Sequence, residues 1–474
     1  WYVKDGKMLA KIVHELFYNE NGILSTPINV CSKYIVVFII FGAFLEKTGI
    51  SAYFIELANG LTGRYAGGPA KVAVVSSALC GMVSGSSVGN TVTTGSITIP
   101  MMKKTGYDKN FAGAVEAAAS TGGQIMPPIM GVGAFIMAEM LGISYFTVAC
   151  AAIIPAVAYY FGVFTLVSCL ARKRAVKSSA AEADIKIEQP ILPRLYLLIP
   201  IILLVIWIVQ GSSLMRAGMV GIISCLVCNL ISRFISGGRN YVGLKELGKC
   251  CLRGARQSAE IAIPTAACGI IINVVTGQTS LATNLSSLIG SLGTDYLFLA
   301  LLIAMVGCML LGMALPTVAA YLVGVILFVP IIRTLGVDAL CANMFVFYYG
   351  IMAQITPPVC VASYTAAGIA GADAMKTGIN GMLFALVGFM VPFVFIYNPA
   401  ILLEGSVMEI ALGALQLMVG TYFLAVTISG YFRAIMPSWM RVMTFVAALG
   451  FISPDLITTV GLYRDIKKWP KRDK

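Results

Sequence analysis

Four short stretches place oxygen-rich or helix-breaking residues inside an otherwise apolar chain. They are "SGSSVGNT" (84–91), "TGGQIMPPIMG" (121–131), "GMALPT" (312–317) and "IMAQITPPVCV" (351–361). An interior proline removes a backbone donor and costs a helix about 3 kcal/mol. In hydrocarbon the freed carbonyls also lack water, so such breaks persist only where they line a cavity or are buried in protein. Unwound carbonyls and small hydroxyls are good ligands for hard cations, and half-helix N-termini favour anions. The chemistry on offer is coordination of a small cation.

Taken singly, a Pro-Pro pair is a kink, and Gly81, Gly85 and Gly89 are a helix-packing stripe of small residues. Their recurrence argues otherwise. Residues 100–128 and 330–358, aligned without gaps at an offset of 230, share Pro100/Pro330, Gly106/Gly336, Asp108/Asp338, Ala112/Ala342, Gln124/Gln354, Ile125/Ile355, Pro127/Pro357 and Pro128/Pro358. Those eight identities compare with roughly two expected from average composition. Ala52/Ala282, Gly60/Gly290 and Gly63/Gly293 keep the offset upstream, and Ser87 corresponds to Thr317. The spacing predicts two cation pockets, each made of a hairpin tip and its own Gln-Ile-x-Pro-Pro break, around a cavity lined by Ser, Thr and Asn. Glu116 and Glu139 flank the first break but meet Val346 and Ile369 in the second repeat, so they rank below the break oxygens.

The elements that must position these residues are membrane helices. The chain of 474 residues is 58% hydrophobic and 11% charged, with mean hydropathy +0.88. A soluble protein carries roughly 25% charged residues. Apolar runs near 20 residues long predict an all-α polytopic membrane protein. The net charge of +12 clusters in short inter-helix segments such as "ARKRAVK" (171–177), 233–239, 245–256 and "KKWPKRDK". That pattern fits positive-inside topology better than nucleic-acid binding. The single histidine, His14, excludes His-based metal sites and Ser/His triads. Cys225 and Cys228 form a CxxC inside a predicted span, where helix packing outweighs metal or redox use. No enzyme chemistry is indicated. The chain opens on "WYVKDGK" with neither an initiator methionine nor a signal-peptide pattern, so a further N-terminal portion is expected before Trp1.

The expected organisation runs in six parts. Residues 1–30 form a polar, amphipathic N-terminal segment, and 31–170 a first repeat with a re-entrant hairpin (69–102) and a broken helix (108–141). Residues 171–194 are a basic cytoplasmic linker, and 195–258 connecting spans with an amphipathic segment. A second repeat, 259–400, has its hairpin at 297–332 and its broken helix at 338–371; 401–474 hold C-terminal spans and a basic tail. The hairpin arms, at about 15 residues, are expected not to cross singly. Five crossings then separate the repeats, which inverts the second relative to the first. The first hairpin falls on the cytoplasmic side and the second outside. The basic tail 464–474 fits this orientation only if "FVAALGFISPDLITTVGLY", broken at Ser453-Pro454-Asp455, is re-entrant.

"GMVSGSSVGNTVTTGSITIPMMKKTGY", "AGAVEAAASTGGQIMPPIMGVGAFIMAE", "LGMALPTVAAYLV" and "FVFYYGIMAQITPPVCVASYTAAGIAGADAMKTG" resemble the large, DctM-like membrane subunit of TRAP (tripartite ATP-independent periplasmic) transporters, over roughly residues 25–430. "VPFVFIYNPAILL" is similar to the fused 4TM/12TM permeases that work with TAXI-type binding proteins. The resemblance implies a multi-pass protein of the bacterial inner membrane, an elevator-type importer in the ion-transporter superfamily. It also implies Na+ as coupling ion, no organic cofactor, and an organic acid (carboxylate) substrate delivered by a periplasmic binding protein. A small membrane subunit, or fused N-terminal helices in its place, is the implied partner. By motif position one Na+ site carries over to Ser84, Ser87, Gly122, Ile125 and Pro127. The other carries over to Gly312, Ala353, Thr356 and Val359, largely through carbonyls; the family often has glycine where Ala353 stands. Asn90, Thr91, Thr317 and Ala320 are the expected substrate-facing residues.

The alternative within transport is a stand-alone Na+/carboxylate symporter needing no binding protein. A membrane-embedded enzyme would need a histidine, a metal cluster or an Asp pair inside the spans. A channel would need an open pore, where paired breaks predict alternating occlusion.

Overall fold

A computed structural model describes residues 8–17, 22–173, 192–235, 241–274, 297–313, 315–432 and 434–452. Among these the chain is helical, with one isolated bridge between Tyr431 and Ile435. Six of the described helices are long and apolar enough to cross a membrane: Thr26–Lys47, Tyr145–Lys173, Leu214–Ser232, Thr317–Thr334, Ala374–Tyr397 and Val407–Ser429. The chain is a polytopic membrane protein. The linker 174–191, the second-repeat positions Ala282, Gly290 and Gly293, and the Ser453-Pro454-Asp455 interruption lie outside the described residues.

Element boundaries recur at the offset read from the sequence. In the first half, Ser87–Lys104 leads through a turn to Lys109–Gly122, then to a 3-10 turn at Gly123–Ile125. In the second, Thr317–Thr334 leads to Ala339–Met352 and a 3-10 turn at Ala353–Ile355, each boundary 230 residues on. The shared residues explain this. Gly106 and Gly336 adopt φ of 90° and 88°, a left-handed turn that a Cβ disfavours. Asp108 then caps its helix by accepting from the Asn110 and Phe111 amides at 2.9 and 3.3 Å, and Asp338 accepts from the Leu340 amide at 2.7 Å.

The hairpin arms are longer than expected. Gly68–Ser84 and Ser87–Lys104 have 17 and 18 residues, and Leu297–Gly312 and Thr317–Thr334 have 16 and 18. Eighteen helical residues rise about 27 Å, close to the hydrocarbon thickness, so length alone does not distinguish these arms from spans. Compact tips make them hairpins. Gly85 ends the first arm at φ 62°, and the Ser86 hydroxyl accepts from the Gly89 amide at 3.2 Å to start the second.

The two halves interlock. Lys109–Gly122 packs on Val361–Ala370, and reciprocally Ala339–Met352 packs on Gly133–Leu141. The second hairpin arm of each half repeats the pattern, Ser87–Lys104 on Val361–Ala370 and Thr317–Thr334 on Gly133–Leu141. Lys103 Nζ donates to the Ala370 carbonyl at 2.7 Å, capping a helix end that belongs to the other half. Around this unit, Leu214–Ile235 and Leu244–Ile272 pack on the first span, and Val407–Ser429 packs between Tyr145–Lys173 and Ser438–Ile452.

Candidate functional site

Each broken helix stops for reasons legible in its residues. Prolines 127, 128, 357 and 358 lack amides, so the carbonyls four residues earlier, in the 3-10 turns Gly123–Ile125 and Ala353–Ile355, lose their helical donors. Both Pro-Pro peptides are cis, and Met130 and Cys360 follow at positive φ, 59° and 22°. Tyrosine hydroxyls donate to backbone on both sides of the break. Tyr159 and Tyr160 hydroxyls donate to the Ala118 and Ala119 carbonyls at 2.7 and 2.8 Å. Tyr145 donates to Pro128 and Ile129 carbonyls, and Tyr364 to that of Pro358. Among the described residues, the carbonyls of Ile125, Pro127 and Val359 meet no hydrogen-bond donor. All three are among the positions that the family resemblance carries over as cation-site residues.

The breaks meet side chain to side chain. Gln124 Nε2 donates to Gln354 Oε1 at 3.1 Å, and these two residues are 230 apart. The Ser87 hydroxyl donates to the same Gln354 oxygen, and Gln354 Nε2 donates to Thr317 Oγ1 at 2.5 Å. Both hairpin tips and both breaks therefore converge on one amide. Gln124 Oε1 and Asn90 Oδ1 remain buried acceptors without a partner among the described residues. Pairing each tip with its own break captures only the backbone part of this arrangement. A Cβ on Gly85 would lie 2.7 Å from the Met130 carbonyl oxygen, and one on Gly312 would lie 2.8 Å from Ala353 Cβ. The Ser87 hydroxyl instead reaches across to the other repeat.

The expected site residues fall as follows. Ser84 is exposed at the first tip, and Ser87 is buried beside Gln354. Gly122 is packed under Tyr159, where a Cβ would come within 2.3 Å of a ring carbon. Ile125 is fully buried and Pro127 half-buried. In the second set, Gly312, Ala353 and Thr356 are buried and Val359 half-buried, with Thr356 Oγ1 donating to the Met352 carbonyl at 2.8 Å. Of the substrate-facing set, Asn90 lines a cavity, Thr91 is buried and donates to the Ser87 carbonyl at 2.8 Å, Thr317 bonds Gln354, and Ala320 is buried near Gly312.

That cavity, of about 670 Å³, lies between the first tip (Ser84, Gly85, Ser86, Gly89, Asn90, Thr93), the first span and the helix Leu244–Ile272. Arg253, Gln257 and Glu260 from the long helix also line it. By sequence alone Arg253 belongs to a basic inter-helix stretch. The missed signal is spacing: steps of four and three residues put these three polar side chains on one helical face. The Gln124 and Gln354 side chains also escape a reading of the motif for its prolines and carbonyls. Glu139 sits exposed near the end of Gly133–Leu141.

Residues 3–410 match the family model for the tripartite ATP-independent periplasmic transporter, DctM component. The chain is 25% identical over 376 residues to an isethionate TRAP transporter permease protein, DctMQ, of Oleidesulfovibrio alaskensis, covering 77% of this chain and 56% of that one. It is 24% identical over 399 residues to a putative TRAP transporter large permease protein of Haemophilus influenzae, covering 82% and 91%. A C4-dicarboxylate TRAP transporter large permease protein, DctM, of Pseudomonas aeruginosa is 22% identical over 370 residues, covering 77% and 83%. These relatives are permeases rather than enzymes. A match across most of an apolar, multi-helix chain places it in the inner membrane, and the chain belongs to the DctM family, the large permease component of TRAP transporters.

Proposed function

We propose that this chain imports an organic acid by coupling it to Na+ at the two helix breaks. The observation that carries the reading is the meeting of the breaks. Both tips and both Gln-Ile-x-Pro-Pro segments converge on Gln354, while the Ile125, Pro127 and Val359 carbonyls meet no donor among the described residues. Carbonyls left without a donor in this way suit a small hard cation such as Na+. Ser84, Ser87, Gly122, Ile125 and Pro127 hold one ion, and Gly312, Ala353, Thr356 and Val359 the other.

The second repeat is inverted relative to the first, and the central unit moves as an elevator against the spans that flank it. The reciprocal packing of each half-helix on its counterpart supports the two-fold relation. The cavity bounded by the first tip and the Leu244–Ile272 helix supplies a route for the substrate; Arg253, 3.9 Å from Glu46 in the same lining, is the cation there, and Glu260 is a second carboxylate. Relatives whose names specify isethionate and C4-dicarboxylates favour an organic anion here as well. A periplasmic binding protein of the TAXI type delivers the substrate, and a small membrane component completes the permease.

The test is uptake of candidate organic acids by proteoliposomes containing the complete permease. Uptake is expected to need the binding protein and an inward Na+ gradient. Uptake in K+ buffer lacking both Na+ and a proton gradient would overturn the coupling, and uptake without a binding protein would favour a stand-alone symporter.

A further inference from the structure

The first repeat encloses a polar cluster that the second repeat replaces entirely. Glu116 is fully buried. Ser77 Oγ donates to its Oε1 at 2.6 Å and Ser120 Oγ at 3.1 Å, and Thr94 Oγ1 donates to the same oxygen. Thr98 Oγ1 donates to Oε2 at 2.5 Å. Both hairpin arms and the broken helix thus supply hydroxyls to one carboxyl group. At the offset of 230, Ser77, Thr94, Thr98, Glu116 and Ser120 become Gly307, Gly324, Phe328, Val346 and Gly350.

The substituted version packs without polar atoms. A Cβ on Gly307 would fall 2.2 Å from the Phe328 ring, and one on Gly324 would fall 2.7 Å from Val346 Cγ1. The same place in the fold is therefore stable when apolar. Burying a carboxylate there costs several kcal/mol by comparison, and an intramembrane carboxylate held at such cost marks function.

The cluster has no cationic partner: none of the described ion pairs includes Glu116. On the packed elements, the groups that face it electrostatically are the Cys80 thiol and the Tyr160 phenol, both uncharged in ordinary conditions. Tyr159 and Tyr160 donate to helix carbonyls, Lys103 to Ala370, and Asp373 accepts from the Lys376 amide at the start of its own helix. The hydroxyl and carboxyl oxygens of the cluster are in direct hydrogen-bond contact. A Cβ on Gly95 would already lie 3.0 Å from Glu116 Cγ.

We propose that Glu116, with Ser77, Thr94, Thr98 and Ser120, is a proton-binding site of the first repeat. In the ionised state all four hydroxyl hydrogens point at the carboxylate. A proton taken from solvent onto Oε2 makes that oxygen a donor to Thr98 Oγ1, whose own hydrogen turns to the Thr94 carbonyl, 3.0 Å away. Thr94 has the same alternative in the Asn90 carbonyl at 2.8 Å. Hydroxyl rotation alone accommodates both states. The use of this proton in coupling rests on the transport reading above; its binding does not.

The test is infrared difference spectroscopy of the complete permease complex in lipid, titrated with pH. The wild type is expected to show a neutral-carboxyl band that disappears as pH rises. E116Q loses the band, while E116D and E139Q keep one. An unchanged band in E116Q, or no pH-dependent carboxyl band in wild type, overturns the proposal. Should E116Q fail to fold, grafting the second-repeat set (S77G, T94G, T98F, E116V, S120G) removes the carboxyl in a packing the fold already uses. Thermal stabilisation by NaCl, read on the same samples, tests the Na+ reading separately. E116Q retains it at wild-type size, and its absence from wild type counts against the Na+ pockets while leaving the band to decide the proton site.

Discussion

Gln124 and Gln354 occupy the same position in two successive repeats, and their side-chain amides touch at 3.1 Å. The contact joins the first break to its counterpart 230 residues on. The surroundings of the two amides differ. Gln354 engages Ser87, Gln124 and Thr317, whereas the side-chain Oε1 of Gln124 has no partner among the described residues.

Replacing the two glutamines should therefore have unequal effects. Gln354→Leu strands the Ser87 and Thr317 hydroxyls and should destabilise by about 1–3 kcal/mol. Gln124→Leu removes one bond together with an unpartnered acceptor and should cost less. Thermal unfolding of the purified complex measures both, and equal losses would contradict the asymmetry.

Ser87→Ala and Thr356→Ala should weaken the response to Na+ with the fold retained. A loss of one ligand oxygen corresponds to about tenfold in apparent affinity, or about 1.4 kcal/mol. The readout is stabilisation as a function of NaCl concentration. Wild-type curves in both variants would remove the proposed pockets.

The close approach of the first hairpin to its break depends on glycine. A Cβ on Gly81 would lie 2.4 Å from Gly123 Cα, backbone that has no room to retreat. Gly81→Ala should destabilise by about 1–3 kcal/mol. A Cβ on Gly368 would meet nothing within 4 Å, so Gly368→Ala should be neutral or stabilise its helix. A cost for Gly368→Ala as large as that for Gly81→Ala would refute the packing argument.

Arg194 and Glu56 form a nearly buried ion pair, their side chains 7% and 14% exposed. It ties the amphipathic helix Ile50–Thr62 to the segment Leu192–Leu198. Glu56→Gln should destabilise by about 3–5 kcal/mol, and the double change to leucines by less, because an unpaired buried charge costs more than an apolar pair. Denaturation of the wild type and both variants gives the comparison.

The CxxC pair should be dispensable. Cys225 is fully buried among apolar neighbours, and Cys228 Sγ donates to the Tyr196 carbonyl at 3.3 Å. Cys225→Ser should leave uptake intact at a stability cost under about 1.5 kcal/mol. Loss of uptake in a folded variant would point back to metal or redox chemistry.

Much of this protein is written locally. Hydropathy gives the membrane helices, because spanning needs long apolar runs. Asp108, Gly106, the Pro-Pro pairs and their counterparts 230 residues on give the repeat and its element boundaries, because caps, left-handed turns and missing amides act within a few residues. Tertiary structure decided what no local rule reaches. It brought Gln124 against Gln354, sent Ser87 to the opposite repeat, turned Arg253, Gln257 and Glu260 into a cavity wall, and closed four hydroxyls from three helices over Glu116. The physical reason is that a break is a property of its own backbone, whereas a hydrogen bond across repeats exists only once both halves have packed.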